Sequence, residues 1–203
     1  MNVKPLFPTP VAYFYNFITE KERLRISESI KNNKTSHLPH LAIDGDGSST
    51  HIPLLSAKGV LQRGSPPNII DNDIKKRLQT AVDEYVKMYG LQSVSVKTIW
   101  SNIQNVGSRL IEHRHAGSIV SGALYINVGD ESKLYFHNPN PYIYYSQYAE
   151  RTDYNYEFQW LKVENCQLVL FPSWLQHGKY SEIIEMDERM VVSFNCEIFS
   201  KRS

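Results

Sequence analysis

The feature that most constrains the fold is a change in hydrophobic period near residue 93, from about 3.6 residues to about 2. The second half of the chain contains short runs rich in β-branched and aromatic residues, with turn signals between them. Several short strands at this spacing predict a sandwich or barrel of the jelly-roll kind. The predicted strands are Val94–Trp100, Ile119–Val128, Lys133–Phe136, Tyr156–Val163, Cys166–Phe171, Gln176–Ser181 and Met190–Phe199.

Two helices are predicted before the strands. Thr19 and Glu22 form a capping-box pattern at the start of a helix over Glu20–Lys31. Apolar residues at spacings of three or four predict a second helix over roughly 72–89, with its apolar stripe covering a sheet. The proline-containing run Leu6–Phe14 reads as an edge or crossing segment. We therefore predict a mainly β (α+β) fold, a cupin-like double-stranded β-helix with supporting N-terminal helices, as one domain over residues 1–203.

Composition excludes several classes of protein. The formal net charge is +1, so neither a nucleic-acid partner nor a membrane-surface patch is expected. No apolar run approaches the roughly 20 residues of a membrane span, and no signal peptide is apparent. Two cysteines do not make a disulfide framework. The expected location is the cytoplasm.

Three histidines show the spacing of a metal site. On a strand, residues two apart point the same way, so His113 and His115 present both imidazoles to one side, while Arg114 points away. His177 follows an apolar run and could face them from a neighbouring strand. Imidazole suits Fe(II), Zn, Cu and Ni. Glu112 is expected on the opposite face, so the carboxylate of the common two-histidine iron site is missing. The irregular region 34–68 contains three further histidines, which are interpreted as surface residues: His37, His40 and His51.

Arg189 is the second candidate for a functional residue. It begins a mostly apolar predicted strand, where its guanidinium must find a partner. A carboxylate ligand bound in a bidentate manner would satisfy it, and Ser193, on the same strand face, could add a hydroxyl. The alternative is a solvent-exposed salt bridge with Asp187 or Glu188.

The order of these motifs resembles the 2-oxoglutarate- and Fe(II)-dependent oxygenase superfamily, and more closely its small 2OG-Fe(II) oxygenase family found in phages and marine bacteria. The resemblance spans most of the chain, and the order FPSWLxH…RxxxSFN is its most specific part. The segments that carry it are Leu6–Val11, Trp100–Asn102, His113–Ser118, Ser121–Tyr125, Asn138–Pro139, Phe171–His177 and Arg189–Asn195.

The resemblance implies roles for individual residues. His113 matches the first iron histidine and His177 the distal one, while Arg189 matches the residue that binds the distal carboxylate of 2-oxoglutarate. Tyr125 stands where prolyl-hydroxylase-like relatives place a co-substrate tyrosine. Asn102, within the matched Trp100–Asn102 segment, is a further candidate for co-substrate binding.

The third iron ligand stays open at this stage. His115 stands where many relatives place an aspartate, and the nearer family also has histidine there. Ala116 replaces the usual proline after it, and Asn138 replaces an aspartate before Pro139. His137, beside Asn138, is an alternative ligand.

The implied reaction couples oxidative decarboxylation of 2-oxoglutarate by O₂ to oxidation of a substrate C–H bond, with hydroxylation as the expected outcome. The alternatives are a cupin-like metalloenzyme without an oxo-acid co-substrate and a non-catalytic jelly-roll binding module. The primary substrate, and whether the protein is a monomer or a homodimer, stay open.

The connection Pro139–Trp160 is unusually rich in tyrosine and is interpreted as a lid or substrate platform, with a packed structural loop as the alternative. Its tyrosines are Tyr142, Tyr144, Tyr145, Tyr148, Tyr154 and Tyr156.

Overall fold

The structure, a computed structural model, describes residues 1–2, 4, 6–34, 43–50, 53–55, 61–63, 68–140, 142–143 and 147–198. His37, His40, His51, Tyr144, Tyr145 and Phe199 lie outside these residues. The helices are α1 (Glu20–Asn33) and α2 (Asn72–Tyr89). The strands are β1 (Ala12–Phe14), β2 (Ile43–Asp44), β3 (Gly47–Ser49), β4 (Pro53–Leu55), β5 (Leu61–Arg63), β6 (Val94–Gln104), β7 (Arg109–Leu110), β8 (Val120–Asn127), β9 (Lys133–His137), β10 (Phe158–Lys162), β11 (Leu168–Pro172) and β12 (Arg189–Ile198).

Both helices begin where the sequence predicts. The Thr19 side chain accepts a hydrogen bond from the Glu22 N–H, and the Glu22 carboxylate accepts one from the Thr19 N–H, which completes the capping box of α1. Asp71 caps α2 by accepting from the Ile74 N–H. Gly90 ends α2 in the left-handed conformation, with φ of 71°.

The main sheet has six strands in the order β1-β11-β8-β12-β6-β3, and all its pairings are antiparallel. β1 lies at one edge, as the prolines before it predict. Smaller pairs are β9 with β10, β2 with β7, and β4 with β5. Consecutive strands of the main sheet are mostly not neighbours in the chain, as expected of a jelly roll.

The two faces of the main sheet have different roles. The even-numbered residues of β12, such as Met190 and Phe194, pack in a core with α1 and α2. The odd-numbered residue Val191 packs instead with Tyr125 and Phe171 in a second core that the β9–β10 pair covers. The helices therefore support one face, as predicted, and the opposite face carries the polar residues described below.

Gly122 allows β8 and β12 to pack tightly. A Cβ atom built on Gly122 would overlap the ring of Phe194, which is fully buried. We expect Gly122→Ala to lower the free energy of unfolding by about 3 kcal/mol, at the upper end of the usual cost of overpacking. Urea denaturation would measure this change in the free energy of unfolding.

Gly129→Ala is the matched control, because a Cβ there meets only Met186 Sδ at 3.5 Å, an ordinary contact. The double variant Gly122→Ala/Phe194→Leu should recover part of the lost stability, since the two sites share one contact. Equal stability of Gly122→Ala and Gly129→Ala would contradict this account of the packing.

Candidate metal centre and carboxylate pocket

The backbone brings His113 and His177 face to face. The His113 N–H donates to His177 O at 3.0 Å, and the His177 N–H donates to His113 O at 3.1 Å. Two residues paired in this way across an antiparallel bridge project their side chains to the same side. The His115 N–H donates to Ser173 O at 3.0 Å. His115 points to the same side as His177, because the Nε2 atoms of the two rings lie 3.2 Å apart.

These three histidines form one cluster. Their ligand nitrogen atoms all lie within 4.8 Å of one another. The ring centroids of His113 and His177 are 4.2 Å apart, and those of His115 and His177 are 5.0 Å apart and stacked. The structure therefore brings together the three histidines that the sequence spacing singled out. Arg114 is exposed and donates to Gln176 Oε1 at 2.9 Å, on the outer side as expected.

The prediction of a regular strand over Gln176–Ser181 was wrong. His177 makes isolated bridges with His113 and Phe136, and the chain then turns. Gly178 explains the break, because its φ is 93° and a Cβ there would lie 2.9 Å from Ile111 O. His113 likewise lies outside the named strands, between β7 and β8.

Hydrogen bonds orient two of the three rings. His113 Nδ1 donates to Ile111 O at 2.7 Å, and His177 Nδ1 donates to Leu175 O at 3.1 Å. In the neutral ring this leaves the Nε2 lone pair free. Burial lowers the pKa of His113, and burial together with the two neighbouring imidazoles lowers the pKa of His177 well below its usual range. Both rings are therefore neutral at pH 7, which is the form that binds metal.

Arg189 is a buried cation with no acidic partner among the described residues. Its Nη1 donates to Gln104 Oε1 at 2.7 Å, and its guanidinium lies 5.8 Å from the centre of the Tyr125 ring. Burial lowers its pKa, but a guanidinium remains charged in proteins. Glu188 binds Lys31 instead, and Asp187 accepts from the Val106 N–H. The predicted alternative, a surface salt bridge of Arg189, was therefore wrong.

Gln104 is a site residue that the sequence reasoning missed. Its Oε1 accepts from Arg189, so its Nε2 faces away from that bond, and this buried Nε2 has no partner among the described residues. A buried N–H group without a partner is costly and indicates a binding position for an acceptor. Strand alternation could have identified it, because Trp100, Asn102 and Gln104 share one face of β6.

The remaining predicted co-substrate residues lie on the same face as Arg189. Burial raises the pKa of Tyr125 to about 12, so its phenol stays protonated. Ser193 pairs in register with Trp100 and Ala123 in the neighbouring strands. Asn102 Oδ1 is buried without a partner in the described part of the chain. An oxygen atom without a partner can accept a hydrogen bond but cannot donate one to a carboxylate. Asn102 therefore fits a carboxylate pocket less well than Gln104.

His137 is separate from the histidine cluster. Its Nδ1 contacts Asn138 O at 3.1 Å, its Nε2 lies 4.0 Å from Glu157 Oε1, and its ring packs on Phe158. Asn138 Oδ1 accepts from the Asn140 N–H, so this residue shapes a turn. Of the alternatives that the sequence left open for the third ligand, the geometry favours His115.

The tyrosine-rich connection is tied to the cluster at its start. The His137 N–H donates to Gln176 O at 2.9 Å, next to His177. Four of its tyrosines are exposed to solvent: Tyr142, Tyr148, Tyr154 and Tyr156. Asn155 is buried and braces a local turn, because it donates to Glu150 O and its carbonyl accepts from Arg151.

Several solved structures share the fold of this chain. An oxidoreductase of the 2OG-Fe(II) oxygenase family from Burkholderia pseudomallei is 12% identical, with a TM-score of 0.57 over 92% of this chain and 84% of its own. A Pseudomonas putida prolyl-4-hydroxylase is 12% identical, with a TM-score of 0.55 over 95% and 94%. HygX from Streptomyces hygroscopicus, solved with nickel and 2-oxoglutarate, is 9% identical, with a TM-score of 0.56 over 94% and 84%. The predicted double-stranded β-helix is thereby confirmed.

A segment of the sequence matches a known family. Residues 98–195 match the model of the family described as "Putative 2OG-Fe(II) oxygenase". This segment holds the three clustered histidines and Arg189, and the match indicates a 2OG-Fe(II) oxygenase, an enzyme that uses iron and 2-oxoglutarate. No curated protein sequence matches the chain. Among the described residues, no helix is both long and apolar enough to cross a bilayer.

Proposed function

We propose that the protein is a hydroxylase that couples oxidative decarboxylation of 2-oxoglutarate to oxidation of a substrate C–H bond. The observation that supports it most is the pairing, on one sheet face, of a three-imidazole cluster with a buried arginine that has no acidic partner within the described part of the chain. A cupin-like metalloenzyme without an oxo-acid co-substrate would have no use for that buried cation.

The residues fit the metal that the family uses. We propose that His113, His115 and His177 hold Fe(II) through their Nε2 atoms, because imidazole donors suit divalent iron and the Nδ1 atoms have other partners. One nitrogen atom of each ring lies within 4.8 Å of the other two. The bound iron would supply the activation of O₂. The protein holds the ligands in place through the backbone carbonyls of Ile111 and Leu175. Two aromatic rings keep the surroundings of the cluster apolar. The ring centroid of Phe171 lies 4.7 Å from that of His177, and the ring centroid of Trp100 lies 5.8 Å from that of His115.

The second half of the site fits a dicarboxylate. We propose that Arg189 and the Gln104 Nε2 donate to one carboxylate of 2-oxoglutarate. Both groups are buried, so such hydrogen bonds are little screened by water. The protonated Tyr125 phenol, and Ser193 on the same face as Arg189, are assigned to the same co-substrate.

The exposed tyrosines of the β9–β10 connection are proposed to contact the primary substrate. The backbone hydrogen bond from the His137 N–H to Gln176 O holds the start of this connection beside the cluster. Tyrosine offers rigid apolar area together with a hydroxyl, which suits a binding surface. The chemical class of the substrate is left unassigned.

The test is to add Fe(II) and 2-oxoglutarate to the purified protein without oxygen, and then to admit O₂. We expect a visible charge-transfer band from the chelate, and slow formation of succinate in the absence of substrate. A protein that gives neither the band nor succinate would not be a 2-oxoglutarate oxygenase. Tyr13→Ala, at an exposed tyrosine of the edge strand β1, should leave both signals unchanged.

A further inference from the structure

One of the three clustered histidines is oriented differently from the other two. His113 and His177 each donate from Nδ1 to a backbone carbonyl. His115 Nδ1 instead lies 3.2 Å from Asn195 Nδ2. An amide nitrogen can only donate, so His115 Nδ1 is an acceptor in this arrangement.

The acceptor role of Nδ1 decides where the hydrogen of His115 sits. With Nδ1 accepting, the neutral ring carries its hydrogen on Nε2. That Nε2 lies 3.2 Å from His177 Nε2, whose lone pair is free because His177 Nδ1 is the donor on its own ring. His115 thus donates to His177 and presents an N–H, not a lone pair, to the centre of the cluster.

A buried polar chain stands behind Asn195. Ser121 Oγ donates to Asn195 Oδ1 at 2.8 Å and lies 2.7 Å from Ser173 Oγ. Asn195, Ser121 and Ser173 are all at most 3% exposed. Nothing in the metal or co-substrate roles proposed above uses these three side chains.

The same chain of groups can be hydrogen-bonded in the opposite direction. If the Asn195 amide rotates by half a turn, Oδ1 faces His115 and Nδ2 faces Ser121. Ser121 then accepts from Nδ2 and donates to Ser173, which requires only rotation of hydroxyl hydrogens. His115 in this direction carries its hydrogen on Nδ1 and turns a free Nε2 lone pair toward His113 and His177.

We propose that Asn195 is a positioning residue that gates the third metal ligand through the orientation of its amide. In one orientation the cluster offers two lone pairs and one N–H, and in the other it offers three lone pairs. On conversion one proton leaves Nε2 of His115 and one is gained at Nδ1 from water, so the charge of the ring does not change. The inference rests on the proposed metal ligands.

The hydrogen position can be measured directly. Protein with ¹⁵N-labelled histidine, treated with a chelator, should show the hydrogen of His115 on Nε2 and those of His113 and His177 on Nδ1. Addition of Zn(II), a diamagnetic probe, should move only the hydrogen of His115, to Nδ1. A His115 that already carries its hydrogen on Nδ1 after chelation, or a protein that binds no Zn(II), would overturn the proposal.

Substitutions at position 195 test the gate through metal affinity. Asn195→Asp offers only acceptors, so it should hold His115 in the lone-pair form and tighten Co(II) binding by about tenfold, at the lower end of typical outer-partner effects. Asn195→Leu keeps the size without hydrogen bonds and should weaken binding by about tenfold. Equal Co(II) affinity of both variants and the wild type would mean that Asn195 only fills space.

Asn165→Asp is the matched control for the added charge, because Asn165 accepts from the Val128 N–H and keeps that bond as aspartate. It should not change Co(II) affinity.

The outcome is also separable from the proposed function. Succinate formation with no change at His115 would contradict the gate alone, whereas a change at His115 without succinate would contradict the oxygenase alone.

Discussion

His177→Ala should abolish metal binding and turnover of 2-oxoglutarate. His177 is the one buried member of the cluster, its ring contacts those of His113 and His115, and its Nε2 lies 3.2 Å from His115 Nε2. Loss of a direct ligand should cost more than the ~10–100-fold that loss of an outer partner typically costs. Isothermal titration with Co(II), together with succinate measurement under Fe(II), would quantify both effects.

His137→Ala is the control, because His137 is a partly buried histidine of the neighbouring strand that lies outside the cluster. It should retain Co(II) affinity and succinate formation. If His137→Ala lost metal as severely as His177→Ala, the assignment of His115 as third ligand would be wrong. Thermal melting of each variant would separate loss of the ligand from loss of the fold.

Arg189→Met should raise the Kd for 2-oxoglutarate by about 100-fold while leaving Co(II) affinity unchanged. The guanidinium is buried beside Gln104 and Tyr125, so it would contribute charge-assisted hydrogen bonds worth ~1.5–3 kcal/mol. About 1.4 kcal/mol corresponds to a tenfold change in affinity. Titration of the anaerobic Fe(II) protein with 2-oxoglutarate, followed by the charge-transfer band, would give the Kd.

Two further variants sharpen this result. Gln104→Glu should weaken 2-oxoglutarate binding in the same direction, because the new carboxylate would pair with Arg189 and repel a dicarboxylate. Arg109→Met is the matched control, since Arg109 is a partly exposed arginine that contacts Asp44 and Tyr180. An unchanged Kd in Arg189→Met would move the co-substrate away from this pocket.

The candidate site was predictable from sequence where the spacing is local. The His-x-His motif places His113 and His115 on one side under any extended backbone, and the structure keeps them so even though the segment forms only an isolated bridge. Gln104 and Asn195 were not found, because Gln104 lies outside the matched segments and the RxxxSFN motif, which Asn195 ends, gave that residue no role. They become candidates only when strand pairing sets Gln104 opposite Arg189 and folding brings Asn195 against His115.

The sequence by itself determined the two helices with their caps, most of the strands, the class of fold and the histidines that are candidates for the cluster. Capping, hydrophobic period and residue spacing are local properties, so they can be read without tertiary contacts. Only the tertiary structure decided which histidine completes the cluster, that Arg189 is a buried cation without an acidic partner among the residues described, and that the Asn195 amide contacts His115. Those features depend on hydrogen bonds between residues 62 to 85 positions apart, which no local pattern encodes.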